Sequence, residues 1–535
     1  MNRFILSLFA LSLTTAVYAQ QAPHLVVGIV VDQMRTDYIY RYWDKYTDDG
    51  FKRLIQHGYF FRNAHFNYIP TYTGPGHASI YTGTTPMNHG IISNTWFDKT
   101  SKAYLYCKDD STVQCVGTNK CNSEMSPRNL LTPGIGDVIR LRDNFKGKSF
   151  GISIKDRGAI LPAGHSGNGA FWFDYETGEF VTSTYYMKSL PGWLKKFNSK
   201  NHTTKLMKDG WTPLLAIEKY TESTADNTPY EKSLNPSSPP VFPYDIEQAV
   251  KEKGYYAFAS TPMANTLLRM LAEEIIVEEN LGMDDHTDLL AISFSSTDII
   301  GHAYGPQSIE IEDTYLRLDL EIAHLLKWLD QKVGEGNYLL FLTADHAAAP
   351  VPQYTKDNGF LVNYINDDEL DTKLRDHIKT VFGADLILSF SNEQIFIDHE
   401  QCANLGLNAN GVAETAKAFL LKQEGVGNVF LGKELQCAVP ANDFVRLAAN
   451  GYNQKRSGDL VFQYLPGWLA YGKQGTTHGS AYTYDTHVPL IFFGYGVTPG
   501  ETTQYVEVTQ ISPTLCMICQ LSLPYASDKR PLTFD

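Results

Sequence analysis

At 535 residues, 43% hydrophobic and 19% charged, the chain has an ordinary globular composition but exceeds one typical domain, so insertions or further domains are expected. Its 59 acidic against 45 basic residues give a net charge of −14, which repels a polyanion over most of the surface and excludes nucleic acid as a general partner. An anionic substrate therefore requires a locally positive pocket.

The opening MNRFILSLFALSLTTAVYA has a basic start at Arg3, an apolar run, and small residues Val17 and Ala19 before a cleavage point. It reads as a secretory signal peptide over residues 1–19, leaving residues 20–535 as a mature protein exported to the periplasm or beyond. No cysteine adjoins that point, so no lipid anchor is indicated, and later runs such as YLLFLTAD are too short and too charged to span a bilayer. Seven cysteines suit the exported setting, and an odd count leaves at least one unpaired. Cys516 and Cys519 lie in an amphipathic helical pattern, SPTLCMICQLSLP, where the two thiols pack or bond to each other.

In chain order, HLVVGIVVDQM is a continuous apolar run ending at Asp32, the pattern of a strand buried on both faces. IPTYTGPGHASIYTG, residues 69–83, is polar and glycine-rich; SIKDRGAI then places Lys155 and Arg157 two residues apart, on the same side if the segment is extended. A helical pattern starts at Pro262, DLLAISFSSTD ends at Asp298, a second helix starts at Ser308, NYLLFLTADH ends at Asp345 and His346, and HVPLIFFGYG is a further core strand. Alternating strands and helices predict an α/β fold with a mostly parallel central sheet flanked by helices. Residues of about 160–255 and 350–475 break the alternation and read as insertions over the active site.

Ligands of such sheets bind beyond the carboxyl ends of the strands, where Asp32, Asp298, Asp345 and His346 would gather. STDIIGHAYG sets His302 one helical turn after Asp298, and GTTHGSAYTYDTH adds His478, with His487 nine residues later. Carboxylate with imidazole is a zinc-type donor set, and several anionic strand tips in one sheet are costly unless a cation offsets them. A threonine or serine at a helix N-terminus, with Gly74 and Gly76 allowing close backbone approach, would sit where amides favour an anion. Coordination to a metal lowers the pKa of a bound hydroxyl, which would turn such an alcohol into a nucleophile.

The segments VVDQMR, PTYTGPGHASIYTG, GIISNTWFD, SIKDRGAI, STDIIGHAYG, TADHAA and THGSAY, in this order, resemble the alkaline phosphatase superfamily. Within it, they look like the phosphate-insensitive bacterial alkaline phosphatases allied to nucleotide pyrophosphatases and phosphodiesterases. The resemblance implies an alkaline-phosphatase-like fold, two Zn²⁺ per chain, and hydrolysis of small-molecule phosphate monoesters through a covalent phosphothreonine on Thr73. It implies Asp298, His302 and His478 around one zinc, and Asp32, Asp345 and His346 around the other, with Thr73 on the latter; His487 is the alternative to His478, and Ser79 the rival hydroxyl. Lys155, Arg157 and Asn94 would grip the phosphoryl oxygens. Diesterase relatives lack the basic pair, so a phosphodiesterase or nucleotide pyrophosphatase on the same core is the second reading, and a non-catalytic binding protein the third. A monomer without a membrane anchor is expected.

Overall fold

The computed structural model describes residues 22–118, 123–235, 237–436 and 442–535, so the expected leader lies outside it. The strands that matter to the site are β1 (Leu25–Val31), β2 (Tyr59–His65), β3 (Ser149–Ser153), β4 (Gly169–Phe173), β5 (Phe180–Ser183), β6 (Asp288–Phe294), β7 (Tyr338–Thr343), β8 (Ile387–Ser391), β9 (Gln394–Ile397), β10 (Val426–Leu431), β11 (Leu460–Tyr464) and β12 (His487–Gly494). The helices are α1 (Thr73–Thr82), α2 (Asp156–Ala163), α3 (Met263–Glu278), α4 (Ser296–Tyr304), α5 (Ile309–Leu329), α6 (Asp367–Phe382) and α7 (Ala409–Leu420).

Eleven strands form the central sheet, whose middle runs β2-β12-β7-β1-β6-β3-β4-β5. The strands from β7 to β4 are mutually parallel, whereas β12 is antiparallel to both β7 and β2, and β5 is antiparallel to β4. Every residue of β1, β6 and β7 is buried, as their unbroken apolar runs require, because helices cover a parallel sheet on both faces. Helices α3 and α5 bury Leu268, Leu271, Ile275, Leu318, Ile322 and Leu325 in the same apolar cluster as these strands. β1 pairs with β6 from Leu25 opposite Asp288 to Val31 opposite Phe294, and with β7 from Leu25 opposite Tyr338 to Val30 opposite Thr343. The three carboxyl ends are thereby level.

The segment of about 160–255 is only partly an insertion, since it contains β4 and β5 of the central sheet. Residues 387–464 instead carry a separate antiparallel sheet, in the order β8-β9-β11-β10. Its own core packs Leu374 and Ile378 of α6 and Val412, Ala416 and Leu420 of α7 against Ile395, Leu460 and Phe462. Cys516 and Cys519 fall at the end of the helix Ile511–Ile518 as free, buried thiols packed in the main core, not joined to each other.

Candidate active site at the carboxyl edge of the sheet

Level strand ends bring five acidic or imidazole side chains from distant sequence into one cluster. Asp32 follows β1, Asp345 and His346 follow β7, and α4, which starts just after β6, carries Asp298 and His302. Asp298, His302 and His478 each offer one donor atom, all within 4.8 Å of one another, and so do Asp32, Asp298 and His346. His346 Nε2 lies 3.4 Å from Asp32 Oδ1 and 3.6 Å from Asp345 Oδ2, which brings Asp345 to the second group. His302 and His478 Nε2 lie 3.3 and 3.5 Å from Asp298 Oδ1.

The three histidines share one orientation. Nδ1 of His302 donates to Thr476 O at 2.7 Å, that of His346 to Ala347 O at 2.9 Å, and that of His478 to Thr71 O at 2.7 Å. A carbonyl oxygen only accepts, so Nδ1 carries the hydrogen and Nε2 is left as a lone-pair donor aimed at the carboxylates. That is the tautomer a metal-ligating imidazole needs, fixed by the bond on its far side.

Two buried carboxylate oxygens, Asp32 Oδ1 and Asp345 Oδ2, have no hydrogen-bond partner, although such atoms in a dry interior cost several kcal/mol of order when unpaired. Burial, followed by the Asp345 charge, pushes the Asp32 carboxyl above its usual range. For Asp298, burial acts upward but is outweighed by His302 and Lys155, and its pKa falls well below the ordinary value. Burial depresses His346, yet the Asp345 and Asp32 carboxylates outweigh it and lift the imidazole to about 9. His478 is pushed down to about 3, mainly by burial and then by His346. Carboxylates that hold a proton on His346 would hold a divalent cation in its place. The orphaned oxygens, the oriented imidazoles and the absence of sulfur fit a transition metal such as zinc.

Thr73 is the first residue of α1, and its Oγ1 lies 3.4 Å from His346 Nε2 and 3.4 Å from Arg157 Nη2. Gly76 allows this approach: a Cβ there would stand 2.3 Å from Asp345 O, so any larger residue would push α1 away from the β7 tip. Asn94 Oδ1 accepts from the Gly74 amide at 2.7 Å, so the remaining side-chain group, the NH₂, is a donor carried beside the helix start. Ser79 sits deeper in the helix, its hydroxyl paired with His89 Nε2 at 2.9 Å, away from the carboxylates.

Lys155 and Arg157 do converge, though not through an extended segment. Lys155 is extended, but Arg157 lies in the first turn of α2. The Lys155 ammonium bridges Asp32, at 2.8 Å, and Asp298. The Arg157 guanidinium is held by Tyr106 OH at 3.0 Å, and that hydroxyl in turn donates to Asp156 at 2.9 Å. Arg157 stays charged, since the Tyr106 and Asp156 interactions outweigh its burial.

His487 is not in the cluster. Its Nε2 donates to Arg62 O at 2.9 Å and its ring stacks on His65, with centroids 4.6 Å apart. Sequence reasoning passed over Gln33, His77 and Tyr106. Gln33, in a left-handed conformation at φ 67°, donates to Asp298 Oδ1 at 2.8 Å. His77 Nδ1 stands 2.9 Å from Thr73 O and 3.3 Å from Asp345 Oδ2. Both adjoin residues already singled out, in VVDQM and TYTGPGH; Tyr106 lies in a segment with no comparable signal.

Residues 26–488 match the family profile described as type I phosphodiesterase / nucleotide pyrophosphatase. A protein of Myroides odoratus named calcium-transporting ATPase is 43% identical, the match covering 96% of this chain and 94% of that one. Alkaline phosphatase PafA of Elizabethkingia meningoseptica is 42% identical over 96% of this chain and 94% of its own. The crystal structure of wild-type PafA superposes with a TM-score of 0.93, at 42% identity, over 96% and 99% of the two chains. A PafA variant with a threonine changed to serine and an asparagine, a lysine and an arginine changed to alanine gives the same TM-score at 41% identity, with the same shares of the two chains covered.

Proposed function

We propose, from the premise that this chain belongs to the type I phosphodiesterase / nucleotide pyrophosphatase family, that its phosphatase activity is directed to phosphate monoesters, with Thr73 as nucleophile. The observation that carries this reading is a pair of buried cations at the cluster: Arg157 reaches Thr73 Oγ1, and Lys155 bridges Asp32 and Asp298. A monoester presents a dianion to that field, a diester only a monoanion. The PafA variant altered at a threonine, an asparagine, a lysine and an arginine supports the assignment, because Thr73, Asn94, Lys155 and Arg157 have the same identities in the same order.

Asp298, His302 and His478 would hold one Zn²⁺, and Asp32, Asp345 and His346, with Thr73, a second. Bound there, zinc supplies Lewis acidity that favours the ionised Thr73 hydroxyl and the departing alkoxide. The chain's own groups do the rest. Thr73 Oγ bonds to phosphorus as the bond to the leaving alcohol breaks; Arg157 and the Asn94 NH₂ donate to the equatorial oxygens, with the N-terminus of α1 adding its partial positive charge. Water then cleaves the phosphothreonine and releases inorganic phosphate. Burial of Thr73, Asp32, Asp345 and His346 excludes competing solvent. Export by the leader of residues 1–19, action as a monomer, and freedom from a membrane anchor belong to the same proposal. Calcium transport, named for the Myroides relative, is not adopted: no helix among the described residues is long and apolar enough to cross a membrane.

Hydrolysis of an aryl phosphate and of its methyl diester, with metal analysis on the same sample, tests the reading. Two zinc ions per chain and a strong monoester preference are expected; a preference for the diester would transfer the assignment to a phosphodiesterase.

A further inference from the structure

A cavity of about 250 Å³ lies between the four-stranded sheet and the loop that carries His478. It shares two walls with the catalytic cluster, the His478 ring and Tyr72, the residue before Thr73. Its lining is one-sided in charge. Asp367, Glu393 and Asp485 contribute carboxylates, Tyr72, Trp468 and Tyr482 contribute aromatic surface, and none of its lining residues among those described is a lysine or arginine.

Polar atoms in this wall are buried and unmatched. Gln463 is 4% exposed, and neither its side-chain nitrogen nor its oxygen has a partner. Side chains alternate along a strand, so Gln463 shares the face of Val461, which packs against Ile69 and Ala481, and it therefore looks into the cavity from the sheet. Asp485 is fully buried; its Oδ2 is taken by Ser480 N at 2.8 Å and Ser480 Oγ at 2.6 Å, while Oδ1 has no partner. Glu393 is tied to Tyr72 OH at 3.0 Å and stands at the tip of the β8–β9 hairpin, where Asn392 and Glu393 have φ of 53° and 55°. Two consecutive left-handed residues make a type I′ turn, for which glycine is the favoured second residue. Glutamate in that place is held against a backbone cost, which suits a side chain kept for its function.

Two unmatched acceptors, Gln463 Oε1 and Asp485 Oδ1, against one unmatched donor, Gln463 Nε2, with carboxylates without cations and aromatic faces, together describe a receptor for a positively charged hydrogen-bond donor. We propose that this cavity is a subsite for a primary ammonium group on the leaving alcohol of the substrate, so that phosphate esters of amino alcohols are preferred. This rests on the phosphomonoesterase reading. An N–H donor is required to satisfy Gln463 Oε1 and Asp485 Oδ1, which separates a primary ammonium from a quaternary one.

The test compares kcat/KM for 2-aminoethyl phosphate, its N,N,N-trimethyl analogue and neutral propyl phosphate, in the wild type, in Glu393→Gln, which retains a partner for Tyr72, and in Gln463→Leu. The account expects the aminoethyl ester to exceed the propyl ester by about tenfold, in KM more than in kcat, as one charge-assisted hydrogen bond would give. Either substitution should reduce that ratio about fivefold or more and leave propyl phosphate turnover unchanged. Equal rates on the aminoethyl and propyl esters in the wild type, a ratio unaltered in both variants, or a trimethyl ester as good as the aminoethyl ester would each overturn the subsite and leave the cavity to water. Rapid propyl phosphate hydrolysis with a flat ratio sinks the subsite alone, whereas failure of the wild type to hydrolyse any of the three esters sinks the phosphomonoesterase reading beneath it.

Discussion

The central sheet and the four-stranded sheet of residues 387–464 are both closed by helices over an apolar core, but they spend their polar residues differently. In the smaller sheet, acidic and amide side chains cap helices: Asn366 Oδ1 accepts from the Glu369 amide, and Asp398 Oδ1 from that of Gln401. At the carboxyl edge of the central sheet, Asp32 and Asp345 lie fully buried with an oxygen each left without a hydrogen bond, Asp32 facing the Lys155 ammonium and Asp345 the His77 and His346 imidazoles. Unpaired buried charge is destabilising by itself, so it persists where a ligand or a reaction uses it. The contrast sets the unpaired buried carboxylates at the edge of the large sheet, where the catalytic reading is proposed, and the proposed ammonium subsite at its border with the small one.

Substitutions separate the two regions most sharply at Thr73. Thr73→Ala should lower monoester turnover by on the order of 10⁴ to 10⁶-fold, the scale seen when a covalent nucleophile is removed, while zinc content stays near the wild-type value. Thr73→Ser should retain substantial activity, and Ser79→Ala should be close to normal in turnover because His89, not substrate, holds that hydroxyl. An inactive Ser79→Ala with an active Thr73→Ala would reverse the assignment.

Next in size is the loss of one basic contact. Lys155→Ala or Arg157→Ala should each cost about 10² to 10³-fold in kcat on monoesters and much less on diesters, since a preorganised donor in such a site contributes about 3 to 4 kcal/mol. Equal losses on both substrates would make the pair structural. His478→Ala should bring zinc toward one ion per chain, with activity partly restored by excess zinc. His487→Ala, whose ring faces Arg62 O and His65, should keep both ions. Zinc titration of the two purified variants decides between them.

Smallest in catalytic effect, but large in stability, is a change in the other core. Leu374→Ala, fully buried in the small unit, should destabilise it by about 2 to 5 kcal/mol in denaturant unfolding and leave zinc stoichiometry unaltered. A loss of zinc in that variant would show that the two regions are not separable as drawn.

The legibility of the sequence follows the same division. β1, β6 and β7 are legible because strands buried on both faces are unbroken apolar runs, and each run stops within four residues of a side chain in the cluster. The run of β12 looks the same, and nothing in it discloses that it is antiparallel, because direction is set by the connection rather than by the strand. β8 to β11 are hidden: all four are short, β8 and β10 are part-exposed while β9 and β11 are buried, and helices separate β9 from β10 and β10 from β11, so no single period dominates residues 350–475. β4 and β5 read as part of an insertion because each has only four or five residues among proline, serine and tyrosine-rich sequence. Of the candidate site, the residues named from motifs gather as expected, including Lys155 and Arg157, although the latter arrives from a helical turn. Tyr106 could not have been found, since its role depends on a tertiary contact with Arg157 and Asp156 and no local pattern announces it.

The most direct test of the central claim is to mix the purified enzyme, supplied with zinc, with a phosphate monoester, quench in acid within one turnover, and locate the phosphoryl group by peptide mass spectrometry. The account predicts phosphate on Thr73, in the peptide containing TYTGPGHASIYTG, and none in Thr73→Ala. Phosphate on Ser79 or elsewhere, or full turnover in Thr73→Ala, would contradict it.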